Sequence, residues 1–326
     1  MPYIKDTLFK PNLFLRNKHL NTLYRYFFSN TKVEYKRKRV IADKIDFIDL
    51  DFSKVNSDKI VIVIHGMEGS SDSNYIHTIT QTLNKANYDV VAFNMRGCSG
   101  ESNNLLNSYH AGKTEDLFGV IKYLENEYIY NEIHIVGYSL GGNMTLKFMG
   151  EFANDMPELV VSAVGVSVPC DLEGSVQAIS TFENKIYMNG FLKTLKIKSI
   201  QKSINFPEAN INISKIKKTK NFYEFDDLVT APINGFKNAK DYWSKSSCKQ
   251  FIPKIKMPTL LISATDDPFL NRKCFPVKEA IENNSFTFLE TKYGGHLGFV
   301  TGFKMKKQRW LENKILDFIN SNSQTQ

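Results

Sequence analysis

The chain has 326 residues, of which 42% are hydrophobic and 23% charged, and its formal net charge is +8. This length and composition exclude a disordered or fibrous protein and predict one large domain, or a domain with an insertion. No apolar run approaches the length of a membrane span, and Lys5, Asp6 and Lys10 interrupt the place where an export signal would lie. We expect a cytoplasmic globular protein.

The four cysteines, Cys98, Cys170, Cys248 and Cys274, have neither disulfide nor metal-site spacing. The histidines likewise form no cluster of metal ligands. We therefore predict reduced thiols, no metal and no cofactor. A reactive thiol at Cys98 is an alternative, although a small buried residue is the favoured interpretation.

From residue 56 onward, apolar strand-like runs alternate with helical stretches, which is typical of a parallel sheet covered by helices on both faces. The predicted helices cover residues 74 to 86, 112 to 126, the stretch after Ser139 and a final segment that carries Trp310. The predicted strands are Lys59 to Ile64, Tyr88 to Asn94, the run from Ile133, Leu159 to Val168, Thr259 to Ala264 and Ser285 to Glu290. Residues 1–55 are predicted to be an N-terminal extension that packs on the core.

The strand pattern stops between Asp171 and Ser247, where the sequence is helical and polar, and it resumes at Thr259. This interruption predicts a helical cap at residues 171–247, inserted into a core formed by residues 56–170 and 248–326. Between residues 185 and 220 the cap contains nine lysines and one acid, so this segment alone carries a net charge equal to the +8 of the whole chain. The segment either contacts an anionic membrane surface or is a solvated face, which is the favoured interpretation. No recognition motif accompanies the charge, so no nucleic-acid partner is predicted.

Ser139 lies in the pattern Gly137-Tyr138-Ser139-Leu140-Gly141, between the apolar run from Ile133 and a helical stretch. A strand that delivers a serine into a helix through flanking glycines makes a tight turn, on which the hydroxyl is exposed. We interpret Ser139 as a nucleophile.

A serine hydroxyl needs a base to take its proton and a third group to orient that base. Asp266 and Asp267 follow one predicted strand, and His296 follows the next. The carboxyl ends of parallel strands open onto one edge of the sheet, so these groups can meet Ser139 there. The order Ser, Asp, His is that of the α/β-hydrolase fold, which predicts a doubly wound, mostly parallel sheet with an inserted helical cap.

Acyl transfer also requires two N–H groups that stabilise the oxyanion of the tetrahedral intermediate. We expect one from the backbone of Leu140, directly after the nucleophile. The second is expected from Met67, in the loop after the first predicted strand, where His65-Gly66 begins the turn.

Five motifs in order resemble the YheT-type α/β-hydrolases, a family that also includes eukaryotic lipid esterases. They are His65-Gly66-Met67-Glu68-Gly69-Ser70-Ser71, Asn94-Met95-Arg96-Gly97-Cys98-Ser99-Gly100, Gly137-Tyr138-Ser139-Leu140-Gly141-Gly142-Asn143, Asp266-Asp267-Pro268-Phe269 and Gly294-Gly295-His296-Leu297-Gly298-Phe299. The resemblance extends to Asn17-Lys18-His19-Leu20-Asn21-Thr22, and to Phe225-Asp226-Asp227 with Thr230-Ala231-Pro232 in the cap.

The resemblance implies that Ser139, Asp267 and His296 are nucleophile, orienting acid and general base, with Asp266 as the alternative acid. It implies a serine hydrolase that cleaves carboxylic esters, from short acyl chains to acylglycerols and phospholipids. The alternatives are an acyltransferase or thioesterase that uses the same acyl-enzyme, and a non-catalytic protein that only binds a ligand. The expected partner is a small acyl ester, and a lipid ester is among the candidates.

Overall fold

The computed structural model describes residues 2–28, 31–303 and 309–323. At its centre is one nine-stranded sheet. The strands are β1 (Tyr3–Asp6), β2 (Lys36–Ala42), β3 (Asp46–Ser53), β4 (Lys59–Ile64), β5 (Asp89–Asn94), β6 (Glu132–Tyr138), β7 (Val160–Val166), β8 (Thr259–Ala264) and β9 (Phe286–Thr291).

The strand order is β1-β9-β8-β7-β6-β4-β5-β3-β2. Neighbouring strands pair in parallel from β1 to β5 along this order, whereas β3 is antiparallel to both β5 and β2. The mostly parallel sheet predicted from the sequence is confirmed. The strands from β4 to β8 are nearly continuous apolar runs, as strands buried on both faces require.

Helices cover both faces of the sheet. On one face α2 and α12 pack through Ile79 and Ile315, and on the other α3 and α4 pack through Leu117 and Phe148. The helices are α1 (Lys18–Phe28), α2 (Asn74–Lys85), α3 (Thr114–Glu127), α4 (Leu140–Glu151), α5 (Leu172–Ile179), α6 (Lys185–Asn205), α7 (Ile213–Lys218), α8 (Phe222–Phe225), α9 (Ala231–Ile233), α10 (Ala239–Ser246), α11 (Val277–Glu282) and α12 (Trp310–Asn322). In the described ranges, none of these helices is both long enough and apolar enough to cross a bilayer.

The first 55 residues contribute three strands that the sequence analysis did not predict. β1 forms one edge of the sheet, and β2 forms the other. Arg37 and Arg39 of β2 lie opposite Asp51 and Asp49 of β3, and each pair is joined by hydrogen bonds of 2.8 Å. Opposite charges across a strand pair stabilise it without alternating apolar residues. The predicted extension is thus built into the sheet.

All of residues 171–247 are described, and they contain helices and turns but no strand. This segment has an apolar core of its own, to which Met188, Leu192, Ile216 and Phe222 belong and against which Phe269 packs. The segment lies beside the carboxyl ends of the strands, while its division from the rest as a separate domain stays a prediction.

The cap motifs noted in the sequence hold this segment together. The buried Asp226 carboxylate accepts hydrogen bonds from Trp243 Nε1 at 2.8 Å and Thr230 Oγ1 at 2.7 Å. Burial raises the pKa of Asp226 to about 6. Asp227 accepts a hydrogen bond from the N–H of Ala239 at 3.1 Å.

Candidate active site

Ser139 occupies the tight turn between β6 and α4, with a backbone φ of 52° and ψ of −115°. A residue with a side chain is strained in this conformation, so the surrounding structure must enforce it. A β-carbon on Gly137 would lie 2.3 Å from Thr145 Oγ1, and one on Gly141 would lie 2.4 Å from the carbonyl oxygen of His65. Both glycines are therefore sterically required, in agreement with the sequence analysis.

Ser139, His296 and Asp267 form a continuous chain of hydrogen bonds. His296 Nε2 lies 3.0 Å from Ser139 Oγ, and His296 Nδ1 lies 2.9 Å from Asp267 Oδ2. The buried Asp267 carboxylate also accepts a hydrogen bond from the N–H of Phe269 at 2.9 Å. A carboxylate at Nδ1 favours the tautomer with its proton there, which leaves Nε2 free to accept the serine proton. The catalytic roles themselves stay predictions.

Asp266, the alternative acid, has a different position. Its Oδ1 accepts a hydrogen bond from the N–H of Gly295 at 2.9 Å, and its buried Oδ2 has no partner among the described residues. Burial raises the pKa of Asp266 to about 6, with a smaller contribution from the charge of Asp267. The structure thus brings Asp267 to the imidazole and Asp266 to the backbone of the histidine loop.

The loop after β4 lies against the nucleophile, because a β-carbon on Gly66 would be 3.2 Å from Ser139 Cβ. The N–H of Gly69 donates to the carbonyl of Gly66 at 3.0 Å, which closes a turn over Met67 and Glu68. In the described part of the chain, the N–H of Met67 has no acceptor. The N–H of the first helical residue, Leu140, also lacks an acceptor within its own helix. Both groups are available to an oxyanion, and that role stays a prediction.

His65 braces this loop. Its Nε2 accepts a hydrogen bond from the N–H of Met95 at 3.1 Å, so its Nδ1 carries the proton and donates to the carbonyl of Gly66 at 2.7 Å. Burial lowers the pKa of His65 to about 4, so the imidazole is neutral at physiological pH. The sequence analysis recognised His65 only as the start of a loop.

Glu68 connects the same turn to the cap. It has a positive φ of 54°, and its carboxylate accepts hydrogen bonds from Tyr109 OH at 2.7 Å and from Lys198 Nζ of α6 at 2.9 Å. The N–H of Glu68 donates in turn to Tyr109 OH at 3.1 Å. The turn that carries Met67 is therefore held by one residue of the core and one of the cap.

The N-terminal helix α1 supports the histidine loop from the other side. Thr22 Oγ1 accepts a hydrogen bond from the N–H of His296 at 2.8 Å. A β-carbon on Gly295, which has a φ of 57°, would lie 2.5 Å from the carbonyl oxygen of Lys18. The sequence analysis assigned Thr22 no role, and its only signal was its place in the Asn17 to Thr22 motif.

The family described as alpha/beta hydrolase fold matches residues 59–302 of the chain. The chain belongs to the α/β-hydrolase family. This α/β-hydrolase is 34% identical to the Escherichia coli (strain K12) protein named "Putative esterase YheT", over 94% of its own length and 91% of that protein's. It is 25% identical to the Mus musculus protein named "Phospholipase ABHD3", over 98% of its own length and 80% of that protein's. The predicted resemblance to the YheT-type family is confirmed, and the chain is an enzyme of the esterase- or lipase-like type.

Among solved structures, the Pyrococcus furiosus esterase Pf2001 matches this α/β-hydrolase with a TM-score of 0.60 and 18% identity. The match covers 90% of this chain and 92% of the esterase. At this level of identity the match confirms the fold.

The lysine-rich segment of the α/β-hydrolase is not uniformly solvated. Lys198 binds Glu68, while Lys196 donates to the carbonyl of Lys217 at 3.2 Å. Lys202 is buried and donates to the carbonyl of Asn103 at 2.7 Å, and burial lowers its pKa to about 8. The interpretation as a solvated face therefore fits only the remaining six lysines, which are exposed: Lys185, Lys193, Lys215, Lys217, Lys218 and Lys220.

Cys98 lies beside the same network, with its Sγ 3.6 Å from Lys198 Nζ. Burial raises the pKa of the Cys98 thiol to about 12, although the nearby ammonium group lowers it. Since a thiolate is the reactive form of cysteine, the structure favours the interpretation of Cys98 as a small buried residue.

Proposed function

We propose that this α/β-hydrolase cleaves carboxylic esters through an acyl-enzyme on Ser139. The observation that carries the proposal is the hydrogen-bonded chain from Asp267 through His296 to Ser139, with Ser139 Oγ 3.0 Å from the imidazole. The names of the relatives, which include an esterase and a phospholipase, support ester and lipid substrates.

In the first half of the reaction, Ser139 Oγ attacks the acyl carbonyl carbon while His296 Nε2 accepts its proton. Asp267 stabilises the resulting imidazolium and keeps its orientation. The N–H groups of Met67 and Leu140 donate to the oxygen that becomes negative. The C–O bond to the leaving alcohol then breaks, and the alcohol takes the proton from His296.

In the second half, water attacks the acyl-serine and gives a proton to His296. The tetrahedral intermediate collapses to the free acid, and Ser139 recovers its proton from the imidazolium. The substrates proposed are short-chain esters and acylglycerol or other lipid esters. A cytoplasmic location belongs to the same proposal and is supported by the four cysteines, none of which forms a disulfide.

Hydrolysis of p-nitrophenyl esters of increasing acyl length tests this proposal. We expect Ser139→Ala to lower kcat by about 10³-fold or more, because the nucleophile is lost. The matched control is Ser244→Ala, which removes an exposed hydroxyl on α10 and should keep the wild-type rate. Equal rates for wild type and Ser139→Ala would refute the proposal. Added glycerol reports on acyl transfer, because transfer yields a new ester and hydrolysis yields only acid.

A further inference from the structure

The long cap helix α6 exposes large apolar side chains along its outer face. Ile186, Ile197 and Ile204 are 84%, 61% and 59% exposed. At 100° per residue these three positions fall on one line along the helix, because 11 and 18 residues correspond to almost whole numbers of turns. The opposite side of α6 packs into the cap core through Met188 and Leu192. The helix therefore carries apolar side chains on both its inner and its outer side, and exposed Lys193 lies between two of the outer isoleucines.

The N-terminal helix α1 has a similarly unusual arrangement. Its polar residues Asn21 and Arg25 are buried, whereas Leu20 and Phe27 are 49% and 63% exposed. Buried Arg25 pairs with Glu312 of α12, so an ion pair joins the inward side of α1 to the core. Leu20 and Phe27 are seven residues apart, almost two helical turns, so they lie on the same side of α1.

The two helices meet at their N-terminal ends. Lys18 Nζ forms an ion pair with Glu183 at 2.6 Å, and His19 Nδ1 lies 3.2 Å from Tyr187 OH. Phe182, directly before α6, is 91% exposed at this junction. We name the set Leu20, Phe27, Phe182, Ile186, Ile197 and Ile204 the outer apolar face.

This junction is close to the candidate active site. The Tyr187 ring centroid lies 4.9 Å from that of Phe269, and the Phe269 ring centroid lies 4.3 Å from that of His296. Two aromatic rings therefore separate the outer apolar face from the imidazole.

Cations accompany the apolar side chains. Lys185 and Lys193 are exposed on α6, and Lys193 lies on the same helical line as the three isoleucines. An exposed apolar stripe with lysines beside it is typical of helices that lie in the interface of an anionic bilayer. Lysine also attracts acidic lipid headgroups over short range.

We propose that the outer apolar face docks on an anionic lipid bilayer and presents the active site to ester lipids within it. The proposal rests on the proposed function for its choice of substrate, whereas the docking itself requires no turnover. It differs from contact through the lysines at 215, 217, 218 and 220, which belong to α7 and the turn after it rather than to α6. It also narrows the substrate class from esters in general to ester lipids within a bilayer.

Co-sedimentation of the full chain with vesicles of phosphatidylcholine and phosphatidylglycerol (3:1) tests the docking. We expect the double variant Ile186→Gln with Ile197→Gln to lower vesicle affinity by about tenfold or more, because burial of one such side chain alone is worth about that factor. Glutamine is a good helix former, so the variant should keep α6. Ile129→Gln is the matched control, because Ile129 is 95% exposed and precedes β6, at the end of that strand away from Ser139. It should bind vesicles like the wild type.

The charge requirement has its own pair of variants. Lys185→Gln with Lys193→Gln should weaken binding to the anionic vesicles, while Lys217→Gln with Lys218→Gln should leave it nearly unchanged. Pure phosphatidylcholine vesicles should bind the wild type more weakly. Equal binding to both vesicle types, or a greater loss from the second lysine pair, would overturn the proposal.

Light scattering tests whether the outer apolar face binds a second copy of the chain instead of a bilayer. A wild-type dimer that the isoleucine variant converts to monomer would overturn the bilayer proposal. Ser139→Ala should still bind vesicles while it fails to hydrolyse p-nitrophenyl acetate. Loss of vesicle binding by the isoleucine variant, with no wild-type esterase activity, would support the docking and refute the proposed function. Unchanged vesicle binding by the isoleucine variant, with wild-type esterase activity present, would refute the docking and leave the proposed function standing.

Discussion

The two neighbouring carboxyl groups after β8 have different surroundings. The Asp267 carboxylate accepts hydrogen bonds on both oxygens, whereas Asp266 has one buried oxygen without a partner among the described residues. Ionisation of Asp266 is therefore costly, which agrees with its pKa of about 6. One carboxylate contacts the imidazole of His296, and the other supports the backbone of the histidine loop.

This difference predicts opposite outcomes for the two asparagine variants. Asp267→Asn should lower kcat by about 10⁴-fold, because the amide favours the wrong tautomer of His296. Asp266→Asn should lose less than about tenfold, because its side-chain oxygen can still accept the hydrogen bond from Gly295. Measured kcat values on p-nitrophenyl butyrate at pH 8 compare the two. A larger loss from Asp266→Asn would reverse the assignment of the acid.

Asp266 also makes a prediction about stability. Its folded pKa, about 6, is above the ordinary aspartate pKa of 3.8, so the folded chain binds the proton more tightly. Its contribution to stability is fully present below about pH 4 and is lost as the pH rises to about 6. Asparagine does not ionise, so Asp266→Asn has no such loss. From pH 4 to pH 7 its free energy of unfolding should therefore rise by about 1–3 kcal/mol relative to that of the wild type. Urea unfolding at the two pH values measures this change, and a relative decrease would contradict it.

At the scale of elements, α6 connects the cap to the candidate oxyanion loop. Lys198 binds Glu68 in the turn that carries Met67, and Lys202, one helical turn further, donates to the carbonyl of Asn103. Both lysines come from the side of α6 that faces the core. The position of the cap and the position of the Met67 N–H are thus mechanically linked.

We expect Lys198→Met to lower kcat by about 10- to 100-fold with a smaller change in KM. Complete loss of an oxyanion donor costs about 10²- to 10³-fold, and a loosened turn displaces the donor without removing it. Affinity for a boronic acid, which mimics the tetrahedral intermediate, should fall in parallel. Lys215→Met removes an exposed lysine on α7 and serves as the control. A lower melting temperature with unchanged kcat would show that Lys198 has only a structural role.

The central elements of the fold were predictable because their signals are local. The run from Lys59 to Ile64 is apolar after its first residue, and the predicted strand at Thr259 to Ala264 agrees with β8 at both ends. The edge strand β2 was not predictable from apolar periodicity, because its stability comes from arginines paired with aspartates on β3. Charge complementarity between two strands can be recognised only when their register is known.

The same contrast holds for the candidate site. Ser139, Asp267 and His296 each follow a strand of the parallel sheet, and that topology alone predicts that they meet. The hydrogen bond from the N–H of His296 to Thr22 joins residues 274 positions apart and has no periodic signal. The contact between Lys198 and Glu68 depends on how the cap sits over the core, which the sequence pattern does not specify.

In the whole molecule, residues 2–28, the cap and the sheet all supply contacts to the loops around Ser139. Thr22 supports the histidine loop, Lys198 holds the turn that carries Met67, and the ends of β6, β8 and β9 supply the three hydrogen-bonded side chains. We propose that these contacts together make Ser139 the nucleophile.

Covalent labelling of the native chain with a fluorophosphonate, followed by mass spectrometry of its peptides, tests this assignment of Ser139. The expected result is a single adduct on Ser139 that is absent from Ser139→Ala and strongly reduced in His296→Ala, because the hydroxyl then lacks its base. An adduct on a different serine, or undiminished labelling of Ser139→Ala, would contradict the assignment.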